Sequence, residues 1–170
     1  MILNRQSEVR VSLEPLAEFS ERARRLLRIR RDAFSVCLVS DTEIAGLNRT
    51  FRGKAGATNV LSFPVDGVAR EEEEKDDAEA QRAQRKRRGR RKQSDAEAEW
   101  KRRRGNYLGD IAISPATARR NARRDDRPLS DELRILILHG MLHLLGYDHE
   151  SDDGEMLRLE QKLRRRLRIA

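Results

Sequence analysis

The sequence predicts an α+β fold, a small mixed sheet with helices packed on it, and three observations carry the prediction. Short apolar, β-branched runs alternate with longer segments of helical periodicity. Two of those runs, 58–63 and 107–114, flank a long charged insertion as the arms of a hairpin-like pair do. One helical segment is apolar nearly all round, through Leu133, Ile135, Leu136, Ile137, Leu138, Met141, Leu142, Leu144 and Leu145, which marks a buried helix. A chain of 170 residues suffices for a single domain over 1–170 with one core.

Residues 1–12 read as an extended start, with Ile2, Leu3 and 9–11 as strand pieces. From Leu13, the residues Leu16, Phe19, Ala23, Leu26 and Leu27 recur at helical spacing while Arg24, Arg25, Arg28 and Arg30 take the other face, giving an amphipathic helix to about Ile29. Residues 34–40 form a strand. The only cysteine, Cys37, lies inside it as a small core residue; a single thiol precludes an internal disulfide and fits a reducing cytosol. Asp41 or Thr42 caps a second helix to about Asn48, with Ile44 and Leu47 inward. Residues 51–56, rich in Gly and charge, read as a loop, and 58–63 as a strand that Pro64 ends.

At 70–104 the composition shifts to a block of four glutamates, a basic block at 85–92 and almost no apolar residues beyond alanines and Trp100. Such a segment buries too little to offset its conformational entropy and is expected to be a disordered or frayed helical insertion, a tolerated surface segment by default with an RNA-binding arm as the functional alternative. After the strand at 107–114, Ser114-Pro115 supplies an N-cap and a first-turn proline for a helix to about Arg124. Ser130 opens the buried helix. Residues 155–169 carry Met156, Leu159, Leu163 and Leu167 on one stripe, a closing helix over the core.

All three histidines of the chain fall within eleven residues, His139-Gly140-Met141-Leu142-His143-Leu144-Leu145-Gly146-Tyr147-Asp148-His149. His139 and His143, four apart, share one helix face about 6 Å along the axis and can reach one metal ion. Gly146 suits the left-handed position that ends the helix, so the chain can bring His149 back as a third ligand. Three neutral imidazoles with one position open describe a catalytic rather than a structural zinc site, although imidazoles also suit nickel, copper and iron. The spacing matches the metzincin proteases, but their general-base glutamate is replaced by Gly140, which costs peptide hydrolysis its proton acceptor.

This stretch resembles, residue for residue, the signature of the YbeY family of bacterial metal-dependent endoribonucleases and ribosomal RNA maturation factors. Two further segments agree: Phe51-Arg52-Gly53-Lys54 running on to Thr58-Asn59-Val60-Leu61-Ser62-Phe63-Pro64, and Leu108-Gly109-Asp110-Ile111-Ala112-Ile113-Ser114. The resemblance implies the same α+β architecture, one Zn2+ per chain on His139, His143 and His149, and single-strand-specific cleavage in maturation of the 16S rRNA 3′ end and in ribosome quality control. It also implies a catalytic role for Arg52, whose planar guanidinium can meet a phosphate with two parallel hydrogen bonds. Lys54 adds a point charge for the substrate backbone. The sequence departs from the family in a longer insertion and in Ala55-Gly56-Ala57, where many relatives carry Asp and Pro, which leaves the loop near Arg52 freer.

A net charge of +8 favours a polyanionic partner, here single-stranded RNA, with the ribosomal subunit or assembly proteins as further partners. Aromatic residues are only 4%, so recognition rests on backbone charge and shape rather than extensive stacking. No apolar run approaches the ~20 residues of a membrane span and no signal-peptide core is evident, so a cytoplasmic protein without a membrane partner is expected. Asp148 or Glu150 is a candidate to orient a ligating imidazole, with solvated turn residues as the alternative; Asp110 reads as structural, pairing with a backbone amide or a ligand histidine, and Ser62 is unassigned. Two rival functions stand beside the nuclease: a ribosome assembly factor in which zinc only staples the fold, and, with Gly140 against it, a metalloprotease.

Overall fold

The computed structural model describes residues 1–65, 107–148 and 152–169. Four strands, β1 (Ile2–Asn4), β2 (Phe34–Leu38), β3 (Val60–Pro64) and β4 (Gly109–Ile113), form one sheet in the order β1-β2-β4-β3. The first two pairings are parallel and β3 runs antiparallel to β4, with Val60 opposite Ile113 and Pro64 opposite Gly109. The expected small mixed sheet and its hairpin-like pair are both present. Pairing continues past the strand ends, where the Val65 N–H donates to Leu108 O at 2.9 Å. The insertion at 70–104 lies outside the described residues. Pro64 is tolerated as the last residue of β3 because β3 is an edge strand, where a missing N–H need not cost a ladder bond.

Strand alternation divides the core. Phe34, Val36, Leu38, Ile111 and Ile113 face one side and pack with α1 (Leu13–Leu26), α4 (Leu129–Leu144) and α5 (Glu155–Leu167). Leu61 and Ala112 face the other side, under Ile44 and Leu47 of α2 (Asp41–Arg52), with Cys37 partly buried against them. Burial raises the Cys37 thiol pKa and keeps it protonated, in keeping with a core role. The remaining helix, α3 (Pro115–Arg124), begins as expected, with Ser114 Oγ accepting from Thr117 N at 3.1 Å.

Several boundaries differ from the sequence reading. Residues 9–11 form no strand; the Gln6 side chain instead accepts from Val9 N and donates to Val9 O, folding this stretch into a turn. α1 stops at Leu26 because Arg28 takes a left-handed φ of 56°, letting Ile29 N reach back to Arg24 O. The cap of α2 is Ser40, which accepts from Glu43 N. Asp41 lies inside the helix and reaches across to α3, accepting from Ser114 Oγ, Thr117 Oγ1 and Arg120 Nη2. α4 starts at Leu129 after Pro128, one residue before Ser130.

Candidate metal centre

α4 packs against α1, α3, α5, β3 and β4, so its sides are occupied nearly all round. Ten of its sixteen residues are buried, but His139 and His143 are only half-buried, and this places both imidazoles on the rim where α4 meets solvent. The helix closes as the glycine predicts: Gly146 has a φ of 85°, its N–H donates to His143 O, and Tyr147 N–H donates to Leu142 O. His143 therefore sits in the last turn, immediately before the chain reverses.

The two rings stand nearly perpendicular, at 79°, with Nε2 of one 3.1 Å from Nε2 of the other. In a tetrahedral zinc site with Zn–N bonds of about 2.0–2.1 Å, adjacent ligand nitrogens lie about 3.3 Å apart. The pair is thus already spaced as two ligands of one ion, and neutral imidazoles are the right donors for it. Among the described residues no cluster of three or more His, Cys, Asp or Glu forms a metal site; the third expected ligand, His149, lies outside them.

Asp148 is exposed, and Glu150 lies outside the described residues; a carboxylate that sequence reasoning did not single out meets His139 Nδ1. It is Glu160 of α5, whose Oε2 is 3.0 Å from His139 Nδ1 and whose other oxygen is 2.6 Å from Arg164 Nη2. Burial opposes ionisation of this carboxyl, but the bond from His139 and the Arg164 charge prevail, and its pKa falls below the ordinary value. Sequence reasoning missed Glu160. A signal was present, since Met156, Glu160, Leu163 and Leu167 share one helical stripe, in which Glu160 alone is charged.

Gly140 has a steric reason of its own. A Cβ there would lie 2.7 Å from Ile111 Cγ2 and 2.9 Å from its Cδ1, closer than packed carbons approach. No glutamate fits this position while α4 stays on β4. We expect Gly140→Ala to destabilise the fold by about 1–3 kcal/mol through overpacking, visible as a lower melting temperature in circular dichroism. An unchanged melting temperature would show that Ile111 yields freely.

Arg52 lies on the last turn of α2 rather than in a loop, because the helix runs four residues beyond Asn48 and ends through Gly53 at a left-handed φ of 63°. Arg52 and Lys54 are both exposed. The following loop is tethered, since the buried Asn48 donates through Nδ2 to Gly56 O at 3.1 Å. Asp110 accepts from Tyr107 and Ser35 on the sheet face opposite Ile111, away from His139 and His143 of α4. Ser62 faces α4, its Oγ at 3.5 Å from Gly140 O.

Two imidazoles brought together on a buried helix, carried by a four-stranded mixed sheet, make this an α+β protein with a candidate metal centre. The model for the endoribonuclease YbeY family matches residues 1–168, and the chain belongs to that family. It is 38% identical over 171 residues to the endoribonuclease YbeY of Koribacter versatilis, covering 99% of this chain and 86% of that one. The Syntrophus aciditrophicus endoribonuclease YbeY is 32% identical over 161 residues, covering 95% and 82%. The solution structure of TM1509 from Thermotoga maritima superposes with a TM-score of 0.57 at 25% identity, over 98% of this chain and 89% of that one.

Proposed function

We propose that residues 1–170 act as one metal-dependent endoribonuclease domain that cleaves single-stranded RNA during ribosomal RNA maturation in the cytoplasm, with zinc on His139, His143 and His149. The observation that carries this reading is the convergence of the His139 and His143 Nε2 atoms at 3.1 Å, in a chain whose relatives are named endoribonucleases. When bound, the metal supplies Lewis acidity toward a phosphoryl oxygen. The chain's own residues do the rest. The two helix imidazoles hold their ring nitrogens together without rearrangement, and the Arg52 guanidinium offers paired donors to the charge that grows on the phosphate in the transition state. Lys54 attracts the substrate backbone, as does the net charge of +8. Precursor ribosomal RNA, with ribosomal subunits or assembly proteins around it, is the partner this charge suits.

The test is to incubate metal-loaded protein with a labelled single-stranded RNA, the matching duplex and an unfolded protein. Cleavage of the single strand, with the duplex and the protein left intact, is the expected result. RNA binding without cleavage, at a metal site shown to be full, would favour the assembly factor. Proteolysis would refute both.

A further inference from the structure

We propose that Glu160 and Arg164 of α5 are positioning residues for the metal centre: Glu160 fixes His139 in the tautomer whose Nε2 can ligate, and Arg164 holds Glu160 in place as a carboxylate. The proposal rests on the metal reading given above and adds to it a helix that contains none of the ligands. Glu160 is 7% exposed and stands in the inward stripe of α5, between Met156 and Leu163, where a leucine would extend the core. A carboxylate at such a position is costly unless both oxygens are satisfied. Here they are, one by His139 Nδ1 at 3.0 Å and one by Arg164 Nη2 at 2.6 Å.

An ionised carboxylate only accepts hydrogen bonds, so the shared proton belongs to Nδ1 of His139. A neutral imidazole carrying its proton on Nδ1 has its lone pair on Nε2, the atom that faces His143 Nε2. With the proton on the other nitrogen, Nε2 could not ligate and Nδ1 would present a lone pair to a carboxylate. This hydrogen bond between α5 and α4 therefore selects both the ring orientation and the protonation that metal binding requires. Arg164, one turn further along α5, occupies the second oxygen and stops Glu160 from swinging away.

Nitrogen-15 NMR of the full-length, metal-free protein, at a pH where the ring is neutral, reads the tautomer directly. His139 should carry its proton on Nδ1, and in Glu160→Gln, whose amide can donate or accept, it should shift to a mixture. Zinc affinity, measured by chelator competition on folded protein, should fall about 10–100-fold in Glu160→Gln and by a smaller factor in Arg164→Met. A lower melting temperature in Glu160→Gln with tautomer and zinc affinity unchanged would show that the pair only packs α5, and would overturn the proposal. If Glu160→Gln does not fold, the wild-type spectrum still decides, because a proton on Nε2 of metal-free His139 is incompatible with the proposal. A wild type that shows the Nδ1 tautomer yet binds no zinc would sink the metal reading and leave the tautomer-fixing contact standing.

Discussion

The wild-type protein is expected to purify with about one transition-metal ion per chain, and the double variant His139→Ala/His143→Ala without it. These two and His149 are the only histidines in the chain, and the sole cysteine is partly buried on the opposite sheet face. Removing two ligands leaves a single imidazole, which cannot hold a zinc ion against solvent. Elemental analysis of the two purified proteins checks this, and an unchanged metal content in the variant would remove the basis of the site. Cleavage of single-stranded RNA should be abolished with the metal. The fold should persist, because both side chains are half-buried at the rim of α4 while Leu136, Ile137, Leu138, Met141 and Leu142 carry its packing. If the variant unfolds instead, metal binding is contributing folding free energy and the stapling role gains ground.

Arg52→Glu is expected to lower cleavage by about 10²–10³-fold or more, the range seen when a donor to a developing oxyanion is removed, with folding and metal content unchanged. Reversing the sign removes an attraction for phosphate and adds a repulsion, so the loss should exceed that of Arg52→Ala. Arg52 is exposed at the end of α2, and the turn through Gly53 and the Asn48 tether do not depend on its side chain. Folding therefore gives no reason for a loss. Single-turnover cleavage of labelled RNA by metal-loaded proteins makes the comparison, and a rate within a few-fold of wild type would take Arg52 out of the chemistry.

The four-residue spacing of His139 and His143, the glycine that ends α4 and the serine-proline start of α3 are local features. Each is encoded in a few neighbouring residues whose backbone preferences act alone, and each appears in the fold as the sequence predicts. The α+β class was legible for a similar reason, since periodicity reports which face of each element is apolar. Boundaries set by non-local or atypical choices were not. Nothing in Arg28 advertises a left-handed backbone, and Ser40 and Asp41 both suit an N-cap until the contacts of Asp41 with α3 decide between them. Tertiary structure alone decided the partner of His139. Glu160 is 21 residues away on another helix, and periodicity shows that it shares the inward stripe without showing which group it will meet. Only the packing of α5 on α4 brings the carboxylate to Nδ1, just as only the approach of Ile111 explains why position 140 must be glycine.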